Sequence, residues 1–171
     1  MLNKKIEKIT IGILDSLNID YLPIPVEEIA QKRGLTIKLY DLGEDVSGVL
    51  VIDTGKGTIG VSPNEPNIRQ RFTIAHELGH YELHKQETGL FIDRGFAVLF
   101  RNQQSSTGEI RREQEANAFA AALLMPEKFL IQEIKKQKFD LTDEDSLREL
   151  ARLFNVSVAA MTYRIANLNL F

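Results

Sequence analysis

The chain of 171 residues contains no cysteine and only three histidines. Without cysteine, disulfides, thiolate metal sites and cysteine nucleophiles are all excluded. Any bound metal must be held by His, Asp and Glu. No stretch approaches the roughly 20 apolar residues that span a bilayer. The opening "MLNKKIEKITIGILDSLNID" has neither a long apolar run nor a small-residue cleavage site. It reads as an amphipathic helix with Ile6, Ile9, Ile13, Leu14 and Leu17 on one face. No membrane segment is expected, and the expected compartment is the cytoplasm. The net charge of −3 gives no overall pull toward nucleic acid or an anionic surface.

What the sequence does contain is ordinary globular material, 43% apolar and 26% charged. A chain of this length buries a core without staples. Proline and glycine punctuate it. "YLPIP" ends the first helix, expected over residues 3–18. "PVEEIAQKR" reads as a short second helix that stops at Gly34. "LTIKLY" alternates like a strand. Residues 48–52 and 58–62 are two β-rich runs around "DTGKG", the pattern of a hairpin. Residues 68–85 return to helical periodicity. In the segment 86–108, "FAVLF" has strand character and "RNQQSSTGE" that of a polar loop. A long helix follows from Glu109 to Met125, where Pro126 ends it. Further helices are expected over residues 127–137, from a cap at Thr142 or Asp143 to Phe154, and after a cap at Ser157. The order implies an α+β fold with a small antiparallel or mixed sheet packed on helices. Two parts are expected: residues 1–137 as the main domain and 138–171 as a helical subdomain.

All three histidines lie in "FTIAHELGHYELH", residues 72–84, at positions 76, 80 and 84. "HELGH" has the H-E-x-x-H form of a zinc peptidase helix. Residues i and i+4 share a helix face, so His76 and His80 can address one cation. Glu77 lies about 100° around the helix from His76. There it stands beside the ion, where a general base takes a proton from water. The competing reading is two hydrogen-bonded polar histidines on a half-buried helix. His84 continues the series but lies about 12 Å along the axis from His76. One ion bound at about 2.1 Å cannot reach all three rings on a straight helix. His84 is therefore read as structural, or as a polar group near the cleft.

A catalytic zinc site usually has three protein ligands and one open position. "GEIRREQEANAFAAALLMP" offers Glu109, Glu113 and Glu115 as the third. Its apolar stripe is Ala116, Phe119, Ala120, Leu123 and Leu124. Extended backward, that stripe reaches Glu113 and, more loosely, Arg112. Asn117 lies one turn beyond Glu113, as a group that would hydrogen-bond a ligand would. Glu115 is rotated about 200° from Glu113 and is expected to face solvent. The competing reading of Glu113 is an acid favoured by the helix dipole.

The two motifs, "RFTIAHELGHYELH" and "EQEANAFAAALLMP", with the preceding "GTIGVSPNEPNIRQ", resemble the ImmA/IrrE family of metallopeptidases. The resemblance covers roughly residues 20–130. It implies a zincin-like helix, Zn2+ as cofactor, and a thermolysin-like endopeptidase site. It makes His76, His80 and Glu113 the ligands and Glu77 the catalytic base. Asn117 takes the place where thermolysin-like enzymes have Asp. It also implies regulated proteolysis: an anti-repressor that cleaves or inactivates a helix-turn-helix (XRE-type) repressor, or a member of a toxin–antitoxin-like pair. No fused sensor or DNA-binding domain is expected, so the partner would be a separate polypeptide. A substrate strand is expected on the edge formed by residues 58–62. Tyr81, His84, Tyr163 and Arg164 are candidates for stabilising the oxyanion.

Residues 147–170 resemble a helix-turn-helix, with Ala151, Val158, Met161 and Ile165 facing inward. A DNA reader needs a basic second helix. Residues 141–171 carry four acids (Asp143, Glu144, Asp145, Glu149) against three arginines, a poor footprint for phosphate contacts. Direct DNA binding is not expected. The rival to a peptidase is a metal-containing binding module that holds a repressor, or a toxin held by an antitoxin, without cutting it.

Overall fold

The computed structural model describes residues 2–84, 89–93 and 107–170. Seven helices and four strands are found among them. In chain order these are α1 (Leu2–Ser16), α2 (Val26–Lys32), β1 (Leu35–Leu39), β2 (Gly48–Asp53), β3 (Lys56–Val61), α3 (Asn67–His84), β4 (Gly89–Asp93), α4 (Thr107–Leu124), α5 (Glu127–Gln137), α6 (Glu144–Phe154) and α7 (Val158–Asn167). The α+β reading with a small mixed sheet is what the chain adopts. No helix among the described residues is long and apolar enough to cross a membrane. "FAVLF" and most of "RNQQSSTGE" lie outside the described residues. Strand β4 was not read from the sequence.

The chain divides into two compact units, Met1–Pro25 with Ala121–Phe171, and Val26–Ala120. The second holds the sheet, in the order β1-β3-β2-β4. Strands β2 and β3 form the expected hairpin, Asp53 opposite Lys56. Its two turn residues, Thr54 and Gly55, both have positive φ (47° and 78°). That geometry matches the right-handed twist of the strands. One expectation is corrected here. The 58–62 run is not an edge, because β1 pairs with it in parallel, Leu35 opposite Gly57 through Leu39 opposite Val61. Among the described strands the edges are β1 and β4. Strand β4 pairs antiparallel with β2, Gly48 opposite Asp93.

Helix α3 is buried on every side from Thr73 to His80. Two glycines let the sheet approach it. A Cβ added at Gly48 would lie 2.2 Å from Thr73 Cγ2 and 3.2 Å from Glu77 Oε1. One added at Gly57 would lie 2.2 Å from Leu35 Cδ2 and 3.4 Å from the Tyr81 ring. A third glycine lets α4 approach α3. A Cβ at Gly79 would lie 3.1 Å from Phe119 and 3.2 Å from Ala116 Cα. Around α3 the core gathers Ile29, Leu50, Ile59, Val61, Ile74, Leu78 and Phe119, all buried. Each contributes about 1.5–3 kcal/mol by leaving water. Helix α2 is tied to α3 by Arg33, whose Nε and Nη2 donate to the two oxygens of Glu82 at 2.7 and 2.8 Å.

In the other unit, Asp143 caps α6 by accepting from the Ser146 amide, and Ser157 caps α7 by accepting from the Ala160 amide. Asn155 makes the turn between them in the left-handed conformation. Ala151, Met161 and Ile165 are buried as read; Val158, the first residue of α7, is instead 36% exposed.

Candidate metal centre

Three side chains converge at the middle of α3. Helix periodicity stacks His76 and His80 one turn apart, each 2% exposed. Their Nε2 atoms are 3.1 Å apart. Glu113, from the second turn of α4, closes the triangle with one oxygen 3.2 Å from His76 Nε2 and the other 3.0 Å from His80 Nε2. Among the described residues this is the one group of three or more metal-ligating side chains drawn together. Glu109 is exposed and is not part of it.

The residues fit a divalent cation. Ligand bonds of about 2.1 Å in tetrahedral geometry put donor atoms about 3.4 Å apart. The observed edges are within a few tenths of an ångström of that. Three electron-rich atoms this close repel unless protons or a cation lie between them. The orientation of His76 also fits: its Nδ1 donates to Asn117 Oδ1 at 3.0 Å. That bond fixes the tautomer and turns the Nε2 lone pair to the triangle. Burial alone would raise the pKa of the Glu113 carboxyl. When the two imidazoles are protonated in place of a bound ion, hydrogen bonds from His76 and His80 and their charge outweigh burial and hold it at about 2.

Glu77 has no exposed surface. Its carboxylate lies against the Gly48 backbone, next to the strand pair that ends at Asp93. His84 is not brought into the triangle. It sits one turn further along α3 with its Nε2 3.5 Å from Glu115, and both side chains are nearly buried. The expectation that Glu115 faces solvent is therefore corrected. Helix α4 lies close enough to the last turn of α3 to cover it, and Arg111 closes the other side at 2.9 Å.

The oxyanion candidates separate clearly. Tyr81 packs on the sheet at Gly57 rather than beside the ligands. Tyr163 is 70% exposed on α7, in the other unit. Arg164 is buried in its own unit: Nε donates to the Met125 carbonyl at 3.0 Å, and both terminal nitrogens bind Glu7 at 2.6 and 3.0 Å.

Sequence reading missed Gly48, Gly79 and Thr73. Gly79 carried a usable signal, since a glycine inside a helix costs about 1 kcal/mol and needs a packing reason. Gly48 carried a weaker one, a strand glycine that marks close approach of another element.

The comparisons with known proteins agree with this geometry. Residues 30–166 match the Peptidase M78 family model, described as the IrrE N-terminal-like domain. The chain is 29% identical over 146 residues to "Metallopeptidase ImmA" of Bacillus subtilis (strain 168), covering 85% of this chain and 78% of that protein. It is 25% identical over 116 residues to "Uncharacterized immunity region protein 2" of Bacillus phage phi105, covering 68% and 67%. A solved "Mycobacterium tuberculosis transcriptional regulator" shares the fold, with a TM-score of 0.60 at 18% identity. The match spans 96% of this chain but 46% of that regulator. Its likeness concerns the fold alone. The family match covers most of the chain and includes every residue of the His-His-Glu cluster, so the chain belongs to the ImmA/IrrE family of metallopeptidases, Peptidase M78.

Proposed function

We propose that this chain is a zinc-dependent endopeptidase that cuts a separate helix-turn-helix repressor or antitoxin of the XRE type. The observation that carries the reading is the triangle of His76, His80 and Glu113, with Glu77 buried one residue from the first ligand. These three would hold the ion. When bound, zinc polarises a scissile carbonyl and lowers the pKa of water to about 7. Glu77 takes the proton of the attacking water and returns it to the leaving amine. Asn117 keeps the His76 ring in register through Nδ1. The substrate strand pairs with the outer edge of β4 and is held by main-chain bonds. His84 stands along the same side of α3 as the ligands, its ring 5.8 Å from that of His80, and is the remaining candidate for binding the oxyanion. The names of the relatives, a metallopeptidase and a phage immunity region protein, support a regulatory substrate.

The test is co-expression with candidate XRE-type repressors, any encoded beside this chain first. Cleavage by the wild type, abolished in Glu77→Gln with zinc retained, supports the peptidase. A stable stoichiometric complex with no cleavage by either form means a binding module instead.

A further inference from the structure

A threonine inside a helix commonly turns its hydroxyl back onto a carbonyl three or four residues earlier. Two in this chain do so. Thr10 Oγ1 donates to the Glu7 carbonyl at 3.1 Å, and Thr162 Oγ1 to the Val158 carbonyl at 3.0 Å. Thr73, within α3, does not. It is as fully buried as Thr10, yet its hydroxyl has no hydrogen-bond partner among the described residues. A buried polar group left in that state lowers the folded population by roughly tenfold or more. Valine has the same shape and avoids that cost. Stability alone therefore does not account for a hydroxyl at position 73, and its place on the helix supplies another reason. At 100° per residue, Thr73 falls about 20° from His80 on one side and about 40° from Glu77 on the other. It stands between the row of ligands and Glu77. Side chains on a helix lean toward its start, so Glu77 leans back over the turn that carries Thr73. The contact at Gly48 agrees: a Cβ there would meet both Thr73 Cγ2 and Glu77 Oε1. The methyl group of Thr73 and the carboxylate of Glu77 thus share one patch of strand β2, and the hydroxyl is carried by the same Cβ as that methyl.

We propose that Thr73 is a positioning residue for Glu77: its hydroxyl donates a hydrogen bond to the carboxylate and steadies it in the pose that takes a proton from water. This rests on the peptidase reading above. Thr73 touches neither the substrate nor the ion in this role. It acts through Glu77, leaving the other carboxylate oxygen for the proton.

The test compares Thr73→Val, which keeps the shape and loses the hydroxyl, with Thr73→Ser, which keeps the hydroxyl and loses the methyl group. The substrate is an XRE-type repressor that the zinc-loaded wild type cuts. Thr73→Val should lower kcat by about 10- to 100-fold, the worth of a hydrogen bond to a charged group, with KM within about twofold and zinc content unchanged. Thr73→Ser should keep kcat within about threefold of the wild type. Urea unfolding of the metal-free proteins should give the opposite order, with the serine midpoint below that of the wild type and the valine midpoint at or above it. A residue that only packs would make serine the worse of the two in both measurements. A Thr73→Val kcat within about threefold of the wild type overturns the proposal, and so does a valine midpoint below that of serine. If the wild type cuts no repressor, the peptidase reading fails, and a cycle of Thr73→Val with Glu77→Ala in the zinc-loaded protein decides the contact. Midpoint shifts that do not add show the hydroxyl bonded to the carboxylate, and additive shifts overturn that bond.

Discussion

Gly48→Ala tests how Glu77, the proposed base, is held. The added Cβ would lie 2.2 Å from Thr73 Cγ2, against about 3.5–4.0 Å for carbons in contact. One partner must therefore yield by more than about 1 Å. Strand β2 is bonded to β3 on one side and β4 on the other, so the displacement goes into α3 at Thr73 and Glu77. Overpacking of this kind costs about 1–3 kcal/mol. With a urea slope of about 2 kcal/mol/M, the unfolding midpoint falls by about 1 M. Moving a catalytic group by about 1 Å costs roughly 100-fold in rate, so cleavage should fall more steeply than stability. Thr73→Ala provides the control. It removes the methyl group in the way, and the Thr73 hydroxyl has no hydrogen-bond partner among the described residues, so little is lost with it. The double variant should recover at least about 1 kcal/mol relative to the sum of the single changes. Urea unfolding of the four proteins measures this. Gly48→Ala within about 0.5 kcal/mol of the wild type, or strict additivity with Thr73→Ala, would refute the packing argument.

Four further outcomes follow from the same geometry. Replacing Asn117 by Leu removes the acceptor of the His76 Nδ1 proton, and zinc affinity should drop about 10–100-fold in a chelator competition; unchanged affinity would show that Asn117 does not orient the ring. Glu113→Gln should lose the ion outright by elemental analysis, and retention would return Glu109 or Glu115 to consideration. Stripping the ion with a chelator should lower thermal stability, and zinc at about 100 times its Kd should restore about 2.7 kcal/mol. Arg164→Met should cost about 3–5 kcal/mol by leaving Glu7 without its buried partner, while the remaining folded protein keeps its zinc. Loss of cleavage without loss of stability would instead return Arg164 to the active site.

The local features were legible because their causes are local. Caps at Asp143 and Ser157, the hairpin turn and the break at Pro126 each depend on a few neighbouring residues. So does the convergence of His76 and His80, four apart on one helix. Glu113 was reachable because the apolar stripe of α4 points at it. The edge strand was misjudged for a reason of the opposite kind. Whether residues 58–62 are central or at an edge depends on where β1 comes to rest, more than 20 residues earlier in the chain, and no local pattern records that. Glu115 was misread because rotation about an α4 axis says which way a side chain leaves its own helix, but not how closely α3 covers it.

Helix α3 shows why burial and chemistry belong to one argument. A helix at a surface separates an apolar stripe from a polar one. Between Thr73 and His80 no residue of α3 faces solvent, so its polar side chains cannot be assigned to an outer face. Two imidazoles and a carboxylate at 0–2% exposure are costly to bury as isolated polar groups. A cation held by His76, His80 and Glu113 would convert their mutual repulsion into bonds. Glycines at 48 and 79 bring the sheet and α4 close enough to complete the enclosure. The same closeness that makes the helix dry makes the charge of an ion and of Glu77 act at low dielectric, where each is worth more than in water. Substitutions that loosen either glycine contact should therefore weaken metal binding and proton transfer together, even though neither glycine carries a donor side chain.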